Sequence, residues 1–184
     1  YKDKSPKFDM IFEKVTSTII LQIETLKNIA SEFSNFARMP RLNIEKLNAV
    51  SVIREALNLF EEEKREIKFE CNQEEIFVNA DQDQLKRTIV NLLRNSIQAN
   101  AKHILVLLNA ENGMCKIYVQ DDGIGIEPQI ISKVFDENFT TKKSGMGIGL
   151  SIAKRFVESI GGNISVEKTS NDGTIFLITL PLAE

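Results

Sequence analysis

Between residues 12 and 36 the chain repeats hydrophobic side chains every seven positions, and no other feature of its 184 residues restricts the fold as much. Phe12, Ile19, Leu26 and Phe33 fall seven apart, Val15, Ile29 and Phe36 fill the interleaved set, and only Gln22 is polar. Such spacing keeps one stripe of an α-helix facing a single direction, which predicts a long helix from about Pro6 to Arg38. Pro40 ends it, since proline has no N–H to donate. An amphipathic helix lying on its own domain is the bland account, but so regular a seam belongs against another helix. A lone helix would leave the stripe in water. The chain is therefore expected to associate through residues 8–37, with a second copy or with an absent partner helix.

From Leu42 the pattern changes to alternating helix and strand, which divides the chain into residues 1–40 and 41–184. A helix is expected from about Val50 to Lys64, with Val52, Ile53, Ala56, Leu57 and Phe60 on one face. Strands at Ile67–Cys71 and Ile76–Val78 follow, and Asp81 opens a helix carrying Leu85, Ile89, Leu92, Leu93 and Ile97. His103–Leu108 and Cys115–Gln120 flank Asn112 and Gly113, a hairpin signature. A third helix, about Ile148 to Ile160, stops at Gly161 and Gly162. A last hairpin pairs Ile164–Lys168 with Thr174–Leu180. Helices gathered on one face of a mixed sheet make an α+β two-layer sandwich.

Composition excludes several functions. Net charge is −3, from 23 basic and 26 acidic residues without a long run of either sign, so nucleic acid is not an expected partner. Cys71 and Cys115 form no CxxC pair, and one histidine cannot complete a zinc site with them. They read as reduced core thiols of a cytoplasmic domain. No apolar run reaches the roughly 18–20 residues of a membrane-spanning helix. The chain opens on Tyr1 rather than Met, which reads as a processed or excised piece; if its parent is membrane-bound, as in an inner-membrane protein, that part is expected to lie elsewhere.

Four segments carry chemistry. Asn91 and Asn95 are one helical turn apart and share a face, where a carboxamide oxygen can serve a partly hydrated magnesium ion. Taken alone, two surface asparagines are the commoner meaning. Asp121 ends an apolar strand before Gly123 and Gly125; its carboxylate only accepts hydrogen bonds and suits an exocyclic amine such as that of adenine. Taken alone, it is a turn aspartate. Phe135-Asp-Glu-Asn-Phe139-Thr-Thr141-Lys142-Lys143 follows a short helix. Gly145, Gly147 and Gly149 precede an apolar helix, so backbone N–H groups and the positive helix end converge on a phosphate-sized site. A glycine-rich turn is weak by itself.

In this order and spacing the four segments resemble the N, G1, F and G2 boxes of sensor histidine kinases, members of the GHKL ATP-binding superfamily, over Leu42 to the C-terminus. The short stretch between the F and G2 boxes, and Ile29-Ala-Ser-Glu-Phe33-Ser-Asn-Phe36-Ala-Arg-Met-Pro40, resemble kinases of the NtrB and NtrY type. The resemblance implies the Bergerat fold preceded by one long coiled-coil-type helix, with ATP and Mg2+ as cofactors. It implies that Asn95, helped by Asn91, holds the metal, and that Asp121 accepts from adenine in a pocket shaped by Gly123 and Gly125. Phe135 and Phe139 would anchor a lid. Thr141, Lys142, Lys143, Gly145, Gly147 and Gly149 would lie around the phosphates, and Thr174 would reach the base through water. The N-terminal helix becomes the second helix of a dimeric four-helix bundle. The partners implied are the first, H-box helix, which carries the phosphoacceptor histidine and is expected to be missing here, and a response regulator.

Three activities compete: a kinase half serving a histidine on another chain, an ATPase of the superfamily, or a nucleotide-binding module without chemistry. The superfamily's ATPase branches place a glutamate four residues before the magnesium asparagine. Asn91 stands there instead, and an amide is no general base at neutral pH. His103, the only histidine, lacks the acidic residue and proline of an H box and reads as an edge or core residue.

Overall fold

A computed structural model describes residues 8–20, 22–23, 42–137, 139–141 and 147–184. Residues 8–20 and 22–23 are helical (α1) and carry the start of the heptad seam. Phe12, Val15 and Ile19 are exposed there, and Phe8 stacks on Phe12 with ring centroids 6.2 Å apart. The remaining seam residues, Leu26, Ile29, Phe33 and Phe36, and the stop at Pro40 lie outside the described residues.

The second part is a two-layer sandwich. Its main sheet has the order β2 (Glu66–Cys71), β4 (His103–Glu111), β5 (Met114–Asp121), β7 (Gly173–Pro181), β6 (Asn163–Ser170). Only β2 and β4 run parallel. Alternate residues point inward: Ile104, Val106 and Leu108 from β4, Ile117 and Val119 from β5, Phe176, Ile178 and Leu180 from β7, all buried. They meet α2 (Ala49–Asn58), α3 (Gln82–Gln98) and α4 (Gly149–Ser159) through Ile53, Leu85, Ile89, Leu92, Leu93, Phe156 and Val157.

Local signals place most of these elements. Asp81 caps α3 by accepting from the Gln84 N–H at 3.0 Å, while its other oxygen accepts from Asn43 N–H at 2.9 Å. Asn112 (φ 51°) and Gly113 (φ 75°) make the tight β4–β5 turn. Gly161 ends α4 with φ 76°, and the Gly162 N–H returns to Val157 O.

The structure departs from the sequence expectation in several places, and β4 (to Glu111) and β6 (Asn163–Ser170) run longer than expected. α2 stops at Asn58, not Lys64: beyond Leu59 come Glu61, Glu62 and Glu63, and acidic side chains oppose the negative C-terminal end of a helix. β3 is Phe77–Ala80, shifted toward the C-terminus from Ile76–Val78. An unexpected strand, β1 (Glu45–Asn48), pairs antiparallel with β3 in a separate two-stranded sheet, Leu47 opposite Val78.

Candidate functional site

Asp121 is a buried carboxylate held from three sides. Only 6% exposed at the end of β5, it accepts three hydrogen bonds: Ser96 Oγ at 2.7 Å on Oδ2, Gly123 N–H at 2.9 Å and Thr174 N–H at 3.3 Å on Oδ1. A carboxylate has about four acceptor positions, so one remains for a donor that enters from outside the chain. Backbone packing fixes its surroundings. Gly125 has φ 72°, and a Cβ there would lie 1.8 Å from Ser170 O; a Cβ on Gly173 would lie 1.8 Å from Asp121 O. Only glycine fits at either place.

The Gly123–Ile126 loop is tied on both sides. Ile124 N–H donates to Ala99 O at 3.0 Å, and Ile126 N–H donates to Thr169 Oγ1 at 2.8 Å. Asp122 accepts from the Lys102 and His103 N–H groups at 2.7 and 2.9 Å, and its Oδ2 lies 2.7 Å from His103 Nδ1. The His103 amide, then its ring, hold the Asp122 carboxyl down at about 2. His103 is thus neither a core residue nor an edge one: it is exposed at the start of the interior strand β4, clasping the loop from outside.

The second end of the site lies back along α3. Asn91 Nδ2 donates to Gly149 O at 3.2 Å, which leaves its Oδ1 as the ligand-capable atom. Asn95, one turn on, is half-buried on the same face. Ser96 is five residues from Asn91, about 7.5 Å of helix rise, so α3 links the Asp121 end to the Gly149 end. Among the described residues no side chain caps the start of α4 at Gly149, and the N-terminal end of a helix suits an anion. Gly147 (φ 67°) packs on the Phe139 backbone, where a Cβ would lie 2.3 Å from the carbonyl oxygen. Phe135 meets Phe176 edge-on at 6.3 Å, and Lys154 Nζ stands 5.9 Å over the Phe135 ring. Thr141 is exposed; Lys142, Lys143 and Gly145 lie outside the described residues.

Among the described residues no group of three His, Cys, Asp or Glu side chains could hold a metal. Two carboxamides fit magnesium only if it arrives with phosphate oxygens and water completing its shell. An open groove of about 400 Å³ on the far face of the sheet is lined by Glu66, Glu70, Asp122 and Asp172 beside Lys68 and His103, so carboxylates outnumber cations there and the lining disfavours a triphosphate.

The sequence reading missed Ser96 and Thr169. Ser96 could have been found: Leu85, Ile89, Leu92 and Leu93 put it on the buried stripe of α3, and a hydroxyl there needs a partner. Thr169 is set by a bulge that no sequence signal announces.

Residues 80–184 match the family model "Histidine kinase-, DNA gyrase B-, and HSP90-like ATPase". A putative sensor histidine kinase NtrY-like of Rickettsia conorii is 32% identical over 180 residues, 94% of this chain and 30% of that protein. The chain thus spans about a third of such relatives. Among solved structures, the catalytic domain of histidine kinase ThkA has a TM-score of 0.70 at 31% identity, covering 76% of this chain and 96% of that one. ThkA in complex with response regulator protein TrrA has a TM-score of 0.78 at 26% identity, covering 100% of this chain and 53% of ThkA. This chain belongs to the histidine kinase-, DNA gyrase B- and HSP90-like ATPase family, and its ATP-binding domain has the fold of histidine kinase catalytic domains.

Proposed function

We propose that residues 41–184 bind Mg-ATP and serve as the catalytic domain of a sensor histidine kinase, with residues 1–40 as the second helix of its dimerisation hairpin. The observation that carries the reading is the pairing of Asn91 with Gly149 on one side and Ser96 with Asp121 on the other. One helix thereby joins an anion-binding helix end to a buried, acceptor-only carboxylate. Asp121 accepts from the adenine amine at its remaining position. The first N–H groups of α4 and the charges of Lys142 and Lys143 are assigned to the phosphates, and Asn91 and Asn95 offer amide oxygens to magnesium. The metal, when bound, offsets charge on the phosphate oxygens.

The reaction breaks the bond between the γ-phosphorus and the β-bridging oxygen and forms a P–N bond to an imidazole, releasing ADP. The imidazole belongs to an H-box helix outside this chain, and the phosphoryl group then passes to a response regulator. Asn91 supports transfer over hydrolysis, since it cannot deprotonate water. Positioning is what the chain contributes.

Calorimetric titration with ATP, with and without magnesium, followed by phosphate release from the same sample, tests this. Binding that requires magnesium, almost no free phosphate, and labelling of an added H-box helix are expected. Steady phosphate release would instead make the chain an ATPase, and no binding would make it a degenerate module.

A further inference from the structure

Between the glycine loop and the phosphate end, the chain is held inward at few points among the described residues. After Ile126 it makes a 3-10 helix at Pro128–Lys133, every residue of which is at least partly exposed. Val134 is buried, Phe135 meets Phe176 edge-on, and Phe139 lies against the Gly147 backbone. Two cations of α4 reach this segment from outside. Lys154 Nζ stands over the Phe135 ring, and Arg155 Nη1 donates to Glu137 Oε1 at 3.1 Å.

α4 does not depend on these contacts, because Ala153, Phe156 and Val157 hold it in the core. Both members of the ion pair are about half exposed, and such pairs shift an equilibrium by only about 1.4–5-fold. That is too small to fix a helix. It is enough to decide where a sparsely anchored stretch of chain rests.

We propose that Arg155 is a positioning residue for nucleotide binding, holding residues 135–137 through Glu137 on the helix assigned to the phosphates. The proposal rests on the ATP reading above and adds how the two sides of the phosphate end are kept in register. A Cβ on Gly147 would lie 2.3 Å from Phe139 O, so residues 139 and 147 meet at a neck. One side of that neck runs into α4 two residues on; the other runs back to Glu137, two residues before. Arg155 joins Glu137 to α4 directly and so braces both sides of the neck against each other. Phe139 N–H donates to Asp136 O at 3.3 Å, and Asp136 N–H to Lys133 O at 2.9 Å, so a shift of Glu137 is carried along the backbone to the neck. Lys154 is less suited to the role, since its ammonium is shared with Glu158, 3.8 Å away on its own helix.

A solvated surface pair without function is the competing account, and charge decides between the two. Glu137→Arg brings positive charge toward a triphosphate, so the field alone would tighten ATP binding. The proposal requires the opposite, because two cations then face each other and the brace opens. Calorimetric titration of the full chain with Mg-ATP should show roughly two- to fivefold weaker affinity for Glu137→Arg and for Arg155→Glu. The double variant, with the charges exchanged, should bind as tightly as wild type. Nucleotide-free Tm should stay within about 2 °C throughout, since the pair is exposed. Glu137→Gln and Arg155→Gln repeat the comparison should a reversed charge not fold. Affinity unchanged or raised in Glu137→Arg, or a charge-exchanged variant no better than the single ones, would overturn the proposal. Failure of the wild-type chain to bind ATP would overturn the nucleotide reading and this one with it. Equal ATP binding by wild type and both single variants overturns this one alone.

Discussion

The two ends of the candidate site are built on opposite principles. At the Asp121 end the chain satisfies itself: one carboxylate takes three internal hydrogen bonds, and two glycines let backbone strands meet closer than any side chain permits. At the Gly149 end the described residues leave groups open. α4 starts without a side-chain cap, and a Cβ at Gly149 would meet the Asn91 amide only at 3.5 Å, ordinary contact. A base is a rigid plane read by fixed donors and acceptors, which rewards a pocket complete before the ligand arrives. Phosphates and a hydrated metal bring their own oxygens, and a site for them keeps donors free until then. On the proposed ATP reading, specificity resides at the Asp121 end and charge is handled at the helix end.

The largest effect expected at the complete end is that of Asp121→Asn. The amide oxygen can still accept from Gly123 and Thr174, and Ser96 Oγ can turn from donor to acceptor, so the fold is retained. The amide NH2 then points where an adenine amine would approach, donor against donor. ATP affinity should fall about 100-fold or more, on the order of 2.7 kcal/mol. Calorimetry checks this, and an unchanged affinity would remove the adenine assignment and make Asp121 a structural residue of the turn.

Legibility followed the same division. Where geometry is local, the sequence announced it: Asp81 before an apolar-periodic run, Asn112-Gly113 between alternating strands, Gly161 after α4. Asp121, Gly123 and Gly125 were readable because their conformational needs are inscribed in residue type. What escaped depends on partners far along the chain. β1 is a strand of four residues, and its identity comes from pairing with β3, more than 25 residues on. β2 lies parallel to β4, a choice that neither strand's own pattern makes. Thr169 faces inward only because one residue is bulged out before it. Its one trace in the sequence was a threonine on each arm of the final hairpin, a pair that bonds readily across strands.

Adding one methyl group at each end sharpens the contrast. Gly125→Ala places a Cβ 1.8 Å from a carbonyl oxygen at a positive φ, and neither backbone can yield without opening the β6–β7 turn. Overpacking of this kind costs roughly 2–3 kcal/mol, and Tm should fall by on the order of 10 °C. Gly149→Ala meets nothing closer than 3.5 Å in a helical position, where alanine is the better residue. Its Tm should hold or rise slightly, while ATP affinity falls through crowding of the anion site. Scanning calorimetry of both variants decides the matter. Equal Tm losses would mean that the Gly149 end is as internally determined as the other.

The smallest effect belongs to the clasp outside the loop, and it is confined to acid. The Asp122 carboxyl is held at about 2, below its ordinary value near 4, first by the His103 amide and then by its ring, with further help from the Lys102 amide. A carboxyl depressed by folding stabilises the folded state above its unfolded value and loses that contribution as pH falls toward the folded one. The Asp122 contribution should therefore be complete above about pH 5 and fade between roughly pH 4 and pH 2. The side chain is 39% exposed, so water screens the interaction and the effect is modest. Asp122→Asn should leave ATP affinity near neutral pH within about twofold, since the amide oxygen still accepts from both backbone N–H groups. It should also flatten the acid limb of stability, which urea unfolding at pH 5 and pH 3 reads directly. If instead the variant loses ATP at pH 7 as Asp121→Asn does, the outer clasp is part of the base pocket, and the boundary between the self-satisfied end and its support lies one residue further out.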